Sequence, residues 1–150
     1  MDLALQCDKI SKIIITSDID IPNRDRGITV DKEPSSLAGD DVPLKAVIEY
    51  IRKKYNITNP IVLLQPTCPL RSIEDINAGI FYFELYHKNI IPWDSWKRDA
   101  NGVIFIVKGN DPWEQPLYFY ESKNIIIDID YEYQFKIAEQ LMRNKIESNR

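Results

Sequence analysis

Apolar positions along this chain follow two different periods. Unbroken apolar runs at residues 61–64 and 102–107 have the length of buried strands, and KIIITS at 12–17 reads as a strand by its β-branched run. Elsewhere apolar residues recur every three or four positions: Val47, Ile48, Ile51 and Tyr55, then Ile73, Ile76, Ile80 and Phe83, then Phe135, Ala138, Leu141 and Met142. That spacing predicts three helices, the first stopping at Asn56, the second running from Ser72 to about His87, the third covering about residues 132–147. Weaker patterns predict a short helix over residues 1–9, carrying Leu3, Ala4 and Cys7, and strands at 28–30 and 124–130. Residues 19–27, 33–41, 89–101 and 109–116 read as loops from their Pro, Gly, Ser, Asp and Trp content. Strands alternate with helices, so the expected fold class is α/β: one domain over residues 1–150, with a mostly parallel, Rossmann-like sheet of about five strands and helices on both faces.

Composition narrows the classes of partner. The 19 Lys and Arg residues against 23 Asp and Glu give a formal charge of −4, which argues against general binding to nucleic acid or an anionic membrane, so any phosphate must be bound locally. No apolar run approaches the roughly 18 residues of a membrane span, and the N-terminus lacks a basic-then-apolar leader. Cys7 and Cys68 are far apart and form no metal-ligand spacing, as in a protein with reduced thiols. A cytoplasmic protein is expected.

The stretch IVLLQPTCPLR at residues 61–71 organises the candidate chemistry. Its apolar run stops at Gln65. Pro66 and Pro69 then stiffen a loop that offers an amide from Gln65, a hydroxyl from Thr67 and a guanidinium from Arg71. Ser72 and Asp75 follow in capping-box spacing, which places the loop between a strand end and a helix start, where open sheets bind ligands. Asp128 and Asp130, one residue apart at the end of the strand predicted over 124–130, either share one face and hold Mg²⁺ or divide between capping the last helix and facing water. Asp18 and Asp20 repeat the spacing as a solvated strand end. Asn101 and Gly102 read as turn chemistry before a strand, and His87, the single histidine, as a helix-end residue favoured by the dipole. Cys68 reads as a small packing residue, and Trp93, Trp96 and Trp113 as loop aromatics of an interface or satellite core.

In this order the motifs resemble those of the acylneuraminate cytidylyltransferases, the CMP-sialic acid synthetases. IIITSD at 13–18 is similar to that family's strand ending in Ser-Thr-Asp, EPSSLAGDD at 33–41 to its Arg-Pro-x-x-Leu-Ala-x-Asp loop, and LLQPTCPLR at 63–71 to its Leu-Leu-Gln-Pro-Thr-Ser-Pro-Leu-Arg. NGVIFI at 101–106 resembles Asn-Gly-Ala-Ile-Tyr-Ile, and IDIDYEYQFKIAEQL at 127–141 resembles the Asp-x-Asp strand and following Ala-Glu helix. The resemblance implies a nucleotide-diphospho-sugar transferase type of fold and transfer of CMP from CTP to an acidic sugar of the sialic-acid type, with release of pyrophosphate. It implies Mg²⁺ on Asp128 and Asp130, catalytic roles for these two and Arg71, and substrate contacts from Gln65, Pro66, Thr67 and Asn101. The family's Gly-, Ser- and Lys-rich phosphate loop precedes the first motif and has no counterpart, while Glu33 and Phe105 replace an arginine and a tyrosine. A shortened form is therefore expected, either completed by a homodimer or by another chain that supplies the phosphate loop, or else a non-catalytic domain that binds nucleotide, sugar or a partner subunit.

Overall fold

The computed structural model describes residues 2–22, 27–39 and 41–148. Parts of the loops expected at 19–27 and 33–41 therefore lie outside the described residues, Asp40 of the second motif among them. The chain forms two compact units, Met1–Asn59 and Pro60–Arg150.

In the first unit α1 (Asp2–Leu5) precedes β1 (Ile13–Ser17), which pairs in parallel with β2 (Ile28–Lys32) from Ile13 opposite Ile28 to Ser17 opposite Lys32. A short 3₁₀ turn, Ser35–Leu37, leads to α2 (Leu44–Tyr55). Ile48 and Ile51 are the buried residues of α2, and Arg52, Lys53 and Lys54 sit in its last turn, where cations suit the helix dipole. Asn56 ends it in the left-handed conformation, with its N–H on the carbonyl of Arg52, so the predicted stop is the observed cap. On β2 Asp31 is buried and receives hydrogen bonds from Lys54 and Tyr50.

The second unit contains β3 (Ile61–Leu63), α3 (Ile73–Tyr86), β4 (Asn89–Asp94), β5 (Asp99–Ala100), β6 (Phe105–Val107), β7 (Leu117–Tyr120) and α4 (Glu132–Ser148). Its sheet corrects the expected fold class. β3 pairs with β6, β6 with β4, and β4 with β5, all antiparallel; only β4 and β7 run parallel. The α/β class holds, but the main sheet is mostly antiparallel, and the Rossmann-like arrangement expected from alternating strands and helices is not the one formed. The cause lies in residues 89–101, read as a loop because of Trp93, Trp96 and their charges. Here the chain enters β4 directly after α3 and turns back through residues 95–98, and a hairpin makes antiparallel neighbours by construction. The turn uses no glycine. Asp94 accepts the N–H groups of Trp96 and Lys97 on its carboxylate and that of Arg98 on its carbonyl, while Arg98 takes a positive φ of 56°.

The returning strand is interrupted. Three steps along β4, from Ile90 to Trp93, match six on the other strand, from Ile106 back to Ala100, so three extra residues bulge between β5 and β6. Asn101 and Gly102, expected as an ordinary turn, form this bulge with Val103 and Ile104, and all four are buried. Pro92, which has no N–H to give to a ladder, lies on β4 beside this interruption and uses its carbonyl to accept the N–H of Asn101. Residues 124–130 differ from expectation as well: they form no strand, and β7 lies earlier, at Leu117–Tyr120. The apolar centre of the unit is Ile76 from α3, Ile90 and Ile91 from β4, and residues 103–107. Among the described residues no helix is long and apolar enough to cross a membrane.

Candidate functional site

The site is built at the end of β3, where residues 64–71 turn before α3. Cys68 closes the turn by donating its N–H to the carbonyl of Gln65 at 3.3 Å. Arg71 fastens the loop to the bulge: its Nη2 donates to the carbonyl of Gln65 and, at 3.2 Å, to that of Gly102. Its Nε–H is buried without a hydrogen-bond partner among the described residues. Burial lowers the pKa of the guanidinium, although it stays charged at any ordinary pH.

Gly102 permits this closeness. A β-carbon there would stand 2.7 Å from Oε1 of Gln65 and 3.0 Å from Oγ1 of Thr67, so only a residue without a side chain lets the bulge lie against both polar groups. Asn101 is buried and its Oδ1 accepts the N–H of Val103 at 3.0 Å, so its carbonyl end holds the bulge together. Gln65 and Thr67 are half-buried and Pro66 is exposed.

The third component arrives along residues 121–131, an irregular strap without a sheet partner. Ile129 donates its N–H to the carbonyl of Thr67 at 3.0 Å, and the Cys68 thiol approaches Oδ1 of Asp128 at 3.4 Å. Burial, then the nearby Asp128 charge, pushes the Cys68 thiol up to about 12, so it is a protonated donor and no nucleophile. Asp128 is half-buried and Asp130 exposed. Beyond Asp130, the side-chain carbonyl of Gln134 accepts the N–H groups of Asp130 and Tyr131 at 2.7 Å each, half of a capping box that starts α4.

Sequence-predicted residues therefore divide. Gln65, Thr67, Arg71, Asn101 and Asp128 converge on one loop, while Asp130 lies where the strap passes into α4. The strand that was to align the two carboxylates is not formed. As hard oxygen donors they still suit Mg²⁺, which takes one or two carboxylates and completes its shell with water and phosphate oxygens; no group of three His, Cys, Asp or Glu side chains is gathered for a metal among the described residues. His87 is exposed and caps α3 with a positive φ of 54°, as its position predicted. Trp93 lies on β4 rather than in a loop and packs edge-on against Phe119, whereas Trp96 is 96% exposed.

Sequence reasoning passed over Asp75 as a simple cap. The capping box with Ser72 is present, but the carboxylate is fully buried and also bonds Tyr120, Ser122 and Asn124. The only local signal was its place in an apolar helix stripe next to Ile76. Compared with known proteins, the chain matches no family model and no curated sequence.

Proposed function

We propose that the chain is a cytidylyltransferase-like protein of the cytoplasm, transferring CMP from CTP to an acidic sugar of the sialic-acid type with release of pyrophosphate. One observation carries the reading: the three segments around Gln65–Arg71, Asn101–Gly102 and Asp128, far apart in sequence and each similar to a motif of that family, are joined by direct hydrogen bonds. Gln65 and Thr67 supply neutral polar groups to a sugar, and Arg71 supplies positive charge. Asp128 and Asp130 would hold Mg²⁺, which when bound offsets charge on the triphosphate. In the reaction the sugar hydroxyl oxygen forms a bond to the α-phosphorus of CTP, the bond to the β-phosphate bridging oxygen breaks, and the hydroxyl proton passes to solvent.

A second reading, nucleotide or sugar binding without turnover, is favoured by the commitment of Arg71 Nη2 to two backbone carbonyls of its own chain. Calorimetric titration with CTP, with and without Mg²⁺, tests the shared premise, with Asp128→Ala/Asp130→Ala as control. Mg²⁺-dependent binding lost in the double variant supports the site, and pyrophosphate release on adding an acidic nine-carbon sugar supports transfer over binding alone. No binding at about 1 mM CTP, a free energy weaker than about −4 kcal/mol, overturns the transferase reading and nucleotide binding with it, and leaves binding of a sugar or a partner subunit.

A further inference from the structure

An aspartate at the third position of a helix normally needs one oxygen for its capping box and leaves the other to water. Asp75 does not. Its Oδ2 accepts the backbone N–H and the hydroxyl of Ser72 at 2.9 and 3.0 Å and the side-chain amide of Asn124 at 3.2 Å. Its Oδ1 is bonded only from downstream, by the hydroxyls of Tyr120, at 2.9 Å, and Ser122. Asn124 also donates to Oγ of Ser72 at 3.0 Å. A fully buried carboxylate is costly unless its lone pairs are filled, and here the filling comes from Tyr120 at the end of β7 and from Ser122 and Asn124 at the start of the strap that carries Asp128.

The β4–β7 ladder ends at Tyr120, and beyond it the strap has no sheet partner to locate it. It is tied at one end to Asp75, at the start of α3, and at the other to Thr67 and Cys68, in the loop leading into α3. Both ties land on one short stretch, residues 67–75, so the register of the strap at Asp75 sets where Asp128 stands. We infer that Asp75 is a positioning residue for the candidate site, holding Asp128 against the Gln65–Arg71 loop through the hydroxyls of Tyr120 and Ser122. The inference builds on the proposed function, because a ligand-binding role for Asp128 is what makes its position matter.

The test uses a ligand-independent reporter. Cys68 is 1% exposed and lies beneath Asp128, and in a Cys7→Ser background it is the sole thiol. Tyr120→Phe/Ser122→Ala removes both Oδ1 donors, one at the end of β7 and one in the strap, and leaves the capping box in place. The expected result is labelling of Cys68 by dithiobis(nitrobenzoate) about tenfold faster than in the parent, with a comparable weakening of Mg²⁺-dependent CTP binding. Ser122→Thr, which keeps a hydroxyl, should label at the parental rate, and Cys7 in a Cys68→Ser protein should not respond to the strap substitutions. Should the double variant not fold, Ser122→Ala alone carries the comparison. Unchanged Cys68 labelling, or acceleration shared equally by Cys7, overturns the inference; so does faster labelling with CTP affinity intact. A parent that binds no CTP refutes the proposed function instead, while the thiol rates still decide whether Asp75 holds the strap.

Discussion

Gly79 lies inside α3, where a glycine costs about 1 kcal/mol relative to alanine, so helix propensity alone predicts that Gly79→Ala stabilises the protein. Packing predicts the opposite. A β-carbon at Gly79 would stand 2.8 Å from Cδ1 of Ile104 and 3.5 Å from its Cγ1 and Cγ2, and Ile104 is fully buried in the bulge that carries Asn101 and Gly102. An added methyl in a filled core costs about 1–3 kcal/mol, and moving the Ile104 side chain off its rotamer costs about 1 kcal/mol. The packing penalty wins, and Gly79→Ala should lose about 1 kcal/mol net. The discriminating partner is Ile104→Val, which deletes the offending Cδ1. Alone it should cost about 1 kcal/mol for a lost methyl group, but combined with Gly79→Ala it should cost less than the sum, a favourable coupling of about 1 kcal/mol. Urea denaturation followed by circular dichroism, with the slope unchanged, gives all four stabilities of the cycle. A Gly79→Ala protein stabilised by the full helix increment, or zero coupling to Ile104→Val, would refute the packing of α3 on the bulge.

Two further outcomes follow from the same geometry. Arg71→Lys replaces a planar fork that reaches both the Gln65 and Gly102 carbonyls with a single ammonium on a flexible stem, so it should lower the urea-derived stability by about 2 kcal/mol, and an unchanged midpoint would show the loop closed by other contacts. Burial pushes the Asp75 carboxyl up, but the hydrogen bonds from Ser122, Ser72 and Tyr120 outweigh it and hold the value below the ordinary 3.8. The unfolded chain then binds the proton more readily, so the Asp75 contribution is complete above about pH 4 and is lost as pH falls through 3.8 towards the folded value. Asp75→Asn should lower the melting temperature at neutral pH and flatten its acid dependence, whereas parallel acid profiles for the two proteins would show that the carboxylate carries no such linkage.

How much of this was legible depends on how local each signal was. The apolar run into Gln65, the two prolines, the Ser72–Asp75 box and the Asn56 stop all act within a few residues and appear where the pattern put them, but β3 is a half-buried edge strand and not the buried one its apolar run predicted. The β4 hairpin was hidden because its turn is made by a side chain, Asp94, and a left-handed arginine, without the Gly or Asn-Gly that usually marks such a turn. Pro92 fits within β4 because the bulge beside it removes the need for an N–H. Residues 124–130 carry four isoleucines in seven positions and still form no strand. β propensity describes how a side chain fits a pleated surface, and it cannot say whether a neighbouring strand will be there.

The same distinction explains the site. Asp128 and Asp130 looked like a pair because a strand would have set them on one face; without the strand, each is governed by what its own backbone neighbours meet. Ile129 turns its N–H to Thr67, which brings Asp128 to the Cys68 thiol, and the Asp130 N–H turns to Gln134, which assigns that residue to the start of α4. Asp128 is thus held by the loop and Asp130 by a helix end. Gly102 shows the converse case. As sequence it was only half of an Asn-Gly turn, yet the missing side chain is what lets Arg71 reach a carbonyl 31 residues away and draw the bulge onto Gln65 and Thr67. Local chemistry in the sequence named the groups that could act, and long-range backbone hydrogen bonds decided which of them share a site.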